Sequence, residues 1–452
     1  MLKGMSVAAT TLGCKVNQAE TDSMLDMLKA AGANIVEFDE KADIYIVNTC
    51  SVTNNADKKS RQMLHRARKM NPDGIVIAAG CYVQSAREIL EQDEAIDIVI
   101  SNNKKKSITE IVNDYINVRN NGKNAPGKDH EAMEYFVDIS RETEYEEMGG
   151  HVPVGHTRAY VKIQDGCNQF CSYCIIPYVR GRIRSRSQEA ILAEVSELAE
   201  AGIKEVVLTG IHISSYGKDK NNEGALIELI EAISKIKGIK RIRLGSLEPG
   251  IITEEFVERI SSNSKVCPHF HLSLQSGCDS VLKRMNRKYT CKQYFEKCDM
   301  LRKAYKSPAL TTDVIVGFPG ETEEEFAETV RYLTELNLYE MHIFKYSPRK
   351  GTVAAAMKEQ VAPEIKNERS DVLLKLAHDN KTAYEAQFEG CELEVLVEEV
   401  VKKDNKTYLR GHTERYMDIL IDVGDISMPE SFVNSFVYVT YTQNGGNLPL
   451  LL

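Results

Sequence analysis

The chain has 452 residues, of which 42% are hydrophobic and 27% are charged, and its formal net charge is −9. This length is enough for two or three domains, and the composition is typical of a soluble globular protein. The sequence has no run of about 18 apolar residues and no apolar signal core, which argues against a membrane span or export and favours the cytoplasm. The negative net charge means that any nucleic-acid contact must use local basic patches.

The first part of the chain, residues 1–118, alternates apolar strands with amphipathic helices. Strands are predicted at "SVAATTLGC", "DIYIVNTC", "GIVIAAGC" and "IDIVIS". Helices are expected between them, at residues 18–31, 54–70 and 84–91. Strands separated by helices of this length form βαβ units, so the pattern predicts a doubly wound α/β domain with a parallel sheet.

A cysteine follows each of the first three strands, at Cys14, Cys50 and Cys81. The carboxyl ends of parallel strands lie along one edge of an open α/β sheet, where ligands bind, so these thiols should converge in space. The chain has eleven cysteines and no export signal, which argues against a disulfide framework. The sequence therefore predicts a shared metal site at this edge.

Residues 119–154 are polar and turn-rich and are predicted to be a linker. A second βα series then covers residues 155–387, with strands predicted at "AYVKIQ", "EVVLTG", "IKRIRLG", "FHLSL", "TTDVIVGF" and "MHIFKYS". Its helices are expected at residues 187–201, 226–236, 253–261, 290–304 and 321–336, with a long helix from Pro363 to about residue 388. Six βα units predict a partial (β/α)6 barrel, about three quarters of a TIM barrel.

The end of the chain changes character. Residues 388–445 contain short β-branched segments separated by turns, among them "CELEVLVEEVV", "MDILIDV" and "FVNSFVYVTYT". Such spacing is typical of a small all-β barrel. Residues 446–452 are predicted to be a loose tail.

The stretch "CNQFCSYC" offers three thiols, Cys167, Cys171 and Cys174, on the loop after the first strand of the predicted barrel. The βα loops at that end of a barrel build active sites. Three thiolates can hold three irons of a cubane cluster and leave the fourth iron open to a chelating ligand. A structural zinc site with a distant fourth ligand is the alternative, although zinc sites more often use paired Cys-x2-Cys spacing.

The motifs as a set resemble the radical SAM methylthiotransferase family, where SAM is S-adenosylmethionine. The segments that carry the resemblance span nearly the whole chain: "TLGCKVN", "VNTCSVT", "AAGC", "IQDGCNQFCSYCIIPYVRGRIRSR", "VVLTGIH", "HLSLQSGCDSVLKRMNRKYT" and "DVIVGFPGETEEEF". Within the family, "TLGCKVN" resembles the MtaB-type tRNA enzymes. The resemblance implies an N-terminal cluster domain, a radical SAM partial barrel and a C-terminal TRAM barrel that binds RNA.

The resemblance also implies a chemistry. Cys167, Cys171 and Cys174 would hold a [4Fe–4S] cluster that binds SAM, and Cys14, Cys50 and Cys81 an auxiliary [4Fe–4S] cluster. The substrate implied is N6-threonylcarbamoyladenosine next to the anticodon of tRNA, which gains a methylthio group at C2 of the purine. One SAM would donate the methyl group, and a second would supply the radical that activates C2.

Further residues match positions that contact SAM in the family. They are Tyr173, Thr209, Gly210, Ser246, Glu248, Gln275 and Val316. Except for Tyr173, they stand at predicted strand ends, so a packing role remains open for them.

Two basic patches are candidates for RNA contact, one at "KKSRQMLHRARK" and one at "RGRIRSR". The residues predicted to contact RNA phosphates are Lys58, Lys59, Arg61, Arg180, Arg182, Arg184 and Arg186. A solvated helix face or loop is the alternative for each patch.

The expected partners are tRNA through its anticodon loop, an electron donor such as flavodoxin or ferredoxin, and a source of sulfur. Two neighbouring activities stay open: methylthiolation of isopentenyladenosine in tRNA, or of a ribosomal protein. A non-catalytic RNA-binding protein with structural zinc is the alternative from another class. It predicts a colourless protein that holds zinc and does not cleave SAM.

Overall fold

The computed structural model describes residues 2–120, 135–149, 157–404, 406–424, 428–443 and 445–447. Within those ranges, no helix is long and apolar enough to cross a membrane. Parts of the predicted linker (121–134 and 150–154) and of the predicted tail (448–452) lie outside the described residues.

The N-terminal domain contains a five-stranded sheet of order β2-β1-β3-β4-β5 in which every neighbouring pair is parallel. Its strands are β1 (Ser6–Thr11), β2 (Asn34–Val36), β3 (Ile44–Thr49), β4 (Ile75–Gly80) and β5 (Ile98–Ile100). Every residue of β3 and β4 is buried, as expected for central strands covered on both faces. Separate apolar clusters lie on the two faces of the sheet, so the predicted α/β fold is confirmed.

The helices of this domain are α1 (Lys15–Ala30), α2 (Asn54–Met70), α3 (Cys81–Ser85), α4 (Arg87–Glu91) and α5 (Ile108–Asn120). The helix predicted at residues 84–91 is instead two short helices, because Ala86 leaves the helical region with φ −136° and ψ 33°. Helix α5, whose Ile111 and Tyr115 pack against the sheet, was not predicted from the sequence.

The second domain is a partial barrel of six parallel strands, as predicted. These are β6 (Arg158–Asp165), β8 (Glu205–Gly210), β9 (Arg241–Leu244), β10 (His269–His271), β11 (Ala309–Val316) and β12 (Glu340–Lys345), and the short β7 (Arg184–Ser185) pairs antiparallel with the outer edge of β6. Isolated parallel bridges join the β9 and β10 regions. Alternate residues of each strand pack outward into one hydrophobic core, and the others line the interior, which we call the lumen.

Helices cover the outside of the barrel. They are α7 (Gln188–Glu200), α8 (Ala225–Ser234), α9 (Glu254–Ser261), α10 (Asp279–Arg284), α11 (Cys291–Ala304), α12 (Glu323–Leu336) and α13 (Pro363–Ala386). The short α6 (Ile176–Val179) instead packs against α3 of the N-terminal domain. Side-chain caps begin several of them, and Thr290 and Thr322 form capping boxes with the residue at the third helical position. Because such capping residues mark where a helix begins, the predicted helix boundaries lie within a few residues of the observed ones.

The C-terminal domain is a closed barrel of order β13-β14-β15-β17-β16. Its strands are β13 (Glu392–Lys403), β14 (Lys406–Thr413), β15 (Asp418–Asp422), β16 (Phe436–Thr442) and β17 (Gly445–Asn447). The predicted tail therefore begins inside β17, because Gly446 and Asn447 pair with β15 and β16.

This small barrel covers the amino end of the lumen. Arg241 donates to the carbonyl of His412 at 3.0 Å, and Arg243 donates to the carbonyl of Glu414 at 3.0 Å. The ring of Tyr416 lies 5.2 Å from that of His269, at the start of β10. The lumen is thus closed at one end, and its carboxyl end faces the N-terminal domain.

Part of the predicted linker packs against both domains. Ile139 is 2% exposed, and Tyr145 donates to the carbonyl of Lys162 in β6 at 3.0 Å. The carbonyl of Tyr135 accepts from the backbone of Ser101 at 3.3 Å. The segment 135–149 therefore contributes to the join between the N-terminal domain and the partial barrel.

Candidate functional site

Three cysteines meet at the carboxyl edge of the N-terminal sheet. Cys14 caps α1 after β1, Cys50 follows β3, and Cys81 begins α3 after β4. The three strands are neighbours in the sheet, which brings their ends together as the sequence pattern predicts. Gly13 adopts φ +106°, and a Cβ there would lie 2.8 Å from the Cys50 Sγ, so glycine permits this close approach.

The pKa values of these thiols depend on one another. Burial raises the pKa of Cys50 to about 11, and the nearby Cys81 and Cys14 raise it further. Burial also raises the pKa of Cys14, against the lowering effect of Arg180. Three adjacent thiolates are therefore unfavourable unless a cationic group lies between them, so metal binding here would release protons.

A second group of cysteines lies on the loop after β6. Burial raises the pKa of Cys167 to about 11 and that of Cys174 to about 12, and in both cases Cys171 adds repulsion. Arg287 donates to the Cys171 Sγ at 3.2 Å, which supplies a positive charge beside the thiol. The loop is fixed by Gly166 at φ +71°, where a Cβ would lie 1.8 Å from the carbonyl oxygen of Arg182.

The sulfur atoms of both groups lie farther apart than a single zinc ion requires. Among the residues that the structure describes, the only set of three ligand side chains whose ligand atoms all lie within 4.8 Å is His271, Asp313 and His342. Zinc binds thiolates at about 2.3 Å, so sulfurs on one zinc ion lie no more than about 4.6 Å apart. Both cysteine groups are wider than this, which suits a cluster of several irons.

A buried ion-pair network lies against the first cysteine group. Arg180 donates to the Cys81 Sγ at 3.3 Å, to Glu20 Oε1 at 2.7 Å and to Asn17 Oδ1 at 2.6 Å. It also pairs with Asp165 at the end of β6, and Lys162 bonds both carboxylates at 2.6 Å. Burial alone would raise the pKa of Glu20, but Arg180, Lys105 and Lys162 hold it well below its usual range.

This network corrects the predicted RNA contacts of the second basic patch. Arg180 and Arg184 are 0% and 1% exposed, and Arg186 is buried in ion pairs with Glu147 and Glu194. The prediction of phosphate contact is wrong for these three arginines, because their charges are satisfied inside the protein. Arg182 is exposed, with its guanidinium 4.4 Å from the ring centre of Phe170.

The first basic patch is a surface feature. Lys58, Lys59 and Arg61 are all exposed on α2. The start of α2 contacts the loop after β12, where Arg349 bonds Asn54 Oδ1 at 2.9 Å and pairs with Asp57 at 2.7 Å. The exposed charges of α2 therefore begin beside the mouth of the partial barrel.

One of the predicted SAM contacts, Gln275, lies beside the second cysteine group. Gln275 adopts φ +74°, an uncommon conformation for a non-glycine residue, and lines a cavity of ≈ 280 Å³ together with Tyr173 and Cys174. The rings of Phe344 and Tyr346 form another wall of this cavity, and the sequence did not single them out. Aromatic walls beside a cluster ligand suit the adenine of a bound nucleoside.

The remaining predicted contacts differ in how accessible they are. Glu248 lies 3.1 Å from His212 Nε2 and accepts from Arg287 at 3.3 Å, and although burial alone would raise the pKa of Glu248, these two neighbours lower it. Ser246 is exposed, Gly210 is partly exposed, and Thr209 is buried at the end of β8. Val316 is 1% exposed and its side chain packs in the barrel core, which leaves only its backbone for a ligand.

Arg287 is a residue that the sequence reading missed. It connects the Cys171 thiol with Glu248 and donates to the carbonyl of Ser273 at 3.1 Å. The sequence shows Arg287 only as a basic residue within "MNRKY", a segment with no distinctive spacing. The bridging position allows Arg287 to hold both a cluster ligand and a predicted SAM contact in place.

Comparisons with known proteins agree with this architecture. Residues 161–333 match the family described as the radical SAM superfamily, and residues 6–101 match uncharacterized protein family UPF0004. The solved structure of the radical S-adenosylmethionine methyltransferase TsrM from Kitasatospora setae has a TM-score of 0.55 at 15% identity, over 76% of this chain and 77% of that one. At that identity the similarity concerns the fold alone.

Curated relatives are similar over most of their length. "Threonylcarbamoyladenosine tRNA methylthiotransferase MtaB" of Bacillus subtilis is 39% identical over 92% of this chain and 90% of the relative. The protein of that name from Aquifex aeolicus is 37% identical, over 92% and 98%. "tRNA-2-methylthio-N(6)-dimethylallyladenosine synthase" of Thermoanaerobacter pseudethanolicus is 35% identical, over 96% and 90%.

Proposed function

The chain belongs to the radical SAM methylthiotransferase family, and we propose from this premise that it is a tRNA methylthiotransferase. It converts N6-threonylcarbamoyladenosine next to the anticodon into the 2-methylthio derivative. One SAM donates the methyl group, and another is the source of the radical. Three relatives that carry this name are 37–39% identical to the chain over at least 90% of their length, which supports the substrate.

The observation that carries the proposal is the pair of three-cysteine groups: Arg180 of the buried network contacts Cys81 of the first, and Asp165 of the network precedes the loop that holds the second. Each group offers three thiols, so a bound [4Fe–4S] cluster would keep one iron without a protein ligand. When bound, the two clusters supply the electron that cleaves SAM and an open iron from which sulfur is presented. The thiols of Cys14, Cys50 and Cys81 hold the sulfur-presenting cluster, and those of Cys167, Cys171 and Cys174 hold the SAM cluster.

The protein side chains around the second group position SAM and limit its exposure. Arg287 orients the Cys171 sulfur and the Glu248 carboxylate towards the same space. Phe344 and Tyr346 offer aromatic faces to the adenine, and Gln275 is held at the cavity wall by a backbone bond to Asp313 at 2.9 Å. These contacts fix the reacting atoms before the substrate base enters, which is the main contribution of a protein to cofactor chemistry.

The RNA side of the proposal rests on α2 and the C-terminal barrel, which we assign to the TRAM type. An adenosine beside the anticodon lies in a single-stranded loop, where a base can be turned out and read. A low-potential electron donor such as flavodoxin or ferredoxin and a separate source of sulfur complete the reaction. We therefore place the protein in the cytoplasm, because tRNA is modified there.

Mass spectrometry of tRNA nucleosides tests the proposed activity. Anaerobic protein with about eight irons, incubated with SAM, reductant and tRNA that carries N6-threonylcarbamoyladenosine, should convert that nucleoside to its methylthio derivative. A parallel tRNA that carries the dimethylallyl modification should remain unchanged. If only the dimethylallyl nucleoside gained a methylthio group, the proposed substrate would be wrong and the dimethylallyladenosine activity would replace it. If the protein held zinc and did not cleave SAM, the proposal that it is an enzyme would be rejected.

A charge change on α2 tests the RNA surface. Replacing Lys58, Lys59 and Arg61 by alanine should weaken tRNA binding at least 10-fold at low salt and lower the slope of log K against log salt by about two. The matched control replaces Lys292, Lys297 and Lys303 of the outer helix α11, and should change neither quantity. Filter binding across a salt series measures both, and equal effects of the two triple variants would remove α2 from the interface.

A further inference from the structure

A cluster of polar side chains lines the lumen and has no role in the chemistry described above. His271 on β10, Asp313 on β11 and His342 on β12 stand on adjacent strands, and Asp313 pairs in register with His342. His271 Nε2 lies 3.3 Å from Asp313 Oδ2, and the two imidazole rings stack with centres 5.9 Å apart. His342 is exposed although it faces the interior, so this part of the lumen is open space.

Lys15 reaches the same region from the N-terminal domain. Its Nζ lies 6.0 Å from the ring of Tyr160 on β6 and 5.8 Å from the ring of Tyr416, which in turn packs on His269. Burial lowers the pKa of His269, and the neighbouring side chains of Arg243, Lys15, His271 and His342 lower it further. These side chains therefore act on one small volume.

Lys15 is a charge without an internal partner. No carboxylate oxygen in the described part of the chain lies within 4.0 Å of its Nζ. The arginines of the lumen differ, because Arg158 pairs with Glu398, and Arg243 pairs with Glu205. Lys15 is exposed, so an ammonium beside two aromatic rings with no carboxylate of the described residues within 4.0 Å is accessible to an anionic ligand.

Two members of the group adjoin the two cysteine groups. Lys15 directly follows Cys14, and Asp313 lines the cavity that contains Cys174 and Gln275. In a purine, C2 and C6 are the two neighbours of N1, so a base whose C2 lies between the two clusters would hold its N6 substituent in the space next to them. The lumen is the space available to that substituent, because the C-terminal barrel closes its far end.

We infer that Lys15, His271, Asp313 and His342 form the subsite that recognises the threonylcarbamoyl group, an inference that rests on the proposed function. The Lys15 ammonium pairs with the threonyl carboxylate. Asp313 accepts from an N–H of the ureido group or from the threonyl hydroxyl, and the imidazoles complete the polar wall. A dimethylallyl group offers no hydrogen bonds here, so its binding would leave these groups desolvated and unpaired, which is how polar sites reject apolar analogues.

Equilibrium binding of three anticodon stem-loops tests the subsite separately from catalysis. They carry N6-threonylcarbamoyladenosine, its methyl ester, or unmodified adenosine, and the ester keeps the size of the group but removes its charge. The wild-type protein should bind the acid about 30-fold more tightly than the ester, as expected for a charged partner in an enclosed site. In Lys15→Met, which keeps the aliphatic stem, the acid and the ester should bind equally.

Two further variants separate recognition from general damage. His342→Gln, at an exposed position, should reduce the preference for the acid over unmodified adenosine, whereas Lys58→Met should weaken all three stem-loops equally. An undiminished preference for the acid in Lys15→Met would overturn the inference, as would stoichiometric zinc that is lost in His342→Gln. If the wild-type protein prefers the acid but forms no methylthio product, the proposed function fails while the subsite stands.

Discussion

We expect the Cys50→Ala variant to release 5′-deoxyadenosine from SAM at nearly the wild-type rate while it forms no methylthio nucleoside. Cys50 belongs to the group at the edge of the N-terminal sheet, and Cys171 belongs to the loop after β6. The groups are separate in sequence and lie on different domains, so the loss of one set of ligands should leave the other set intact. Cys171→Ala should therefore abolish both SAM cleavage and product.

Chromatography of 5′-deoxyadenosine and mass spectrometry of nucleosides measure the two outcomes on the same sample. Iron content should fall from about eight to about four in each variant. Cys391→Ala is the matched control, because this thiol is exposed and lies outside both groups, and it should keep full iron and full activity. Equal loss of SAM cleavage in Cys50→Ala and Cys171→Ala would show that the groups do not have separate roles.

The fold was predictable because its signals are local. Apolar strands, helix caps and the spacing of turns identified the parallel sheet, the six-stranded partial barrel and the small β-barrel, and helix α2 has the predicted bounds. The convergence of Cys14, Cys50 and Cys81 also followed from strand order alone. Their role as cluster ligands, like the SAM and RNA contacts that remain accessible, stays a prediction.

The errors concern charges whose partners are distant in sequence. "RGRIRSR" has the composition of a phosphate-binding loop, yet Arg180 bonds Glu20, 160 residues away, and Arg186 bonds Glu147. Nothing in the local pattern reveals such pairing, since the same residues on a surface would have the same spacing. Arg287 was missed for the related reason that its significance comes from two neighbours, Cys171 and Glu248, on other loops.

The position of the C-terminal barrel could not be predicted either. Its closure over the lumen depends on Arg241 and Arg243, which the sequence presents only as alternate residues of a strand. In the folded chain they donate to backbone carbonyls of the small barrel and thereby close the amino end of the lumen. This arrangement explains how a domain predicted for RNA binding also shapes the space beside the clusters.

The second large effect is expected from Arg180→Met, which removes the central cation of the buried network. Arg180 is 0% exposed and bonds Glu20 and Asn17 of the N-terminal domain, Asp165 of the barrel and the Cys81 sulfur. Methionine has a similar length but leaves Glu20 and Asp165 with fewer counter-charges. Removing one partner of a buried ion pair typically costs about 3–5 kcal/mol, so we expect a loss of that order in denaturant unfolding.

The controls for Arg180→Met separate stability from sulfur chemistry. Arg182→Met, two residues away and exposed, should change the unfolding free energy by less than about 0.5 kcal/mol. Arg180→Lys keeps a charge but loses the planar fork, so it should recover only part of the stability. If the network also orients Cys81, iron binding at the first cysteine group should fall in Arg180→Met while SAM cleavage persists. Unfolding and iron content equal to those of Arg182→Met would mean that this network neither joins the two domains nor supports the cluster site.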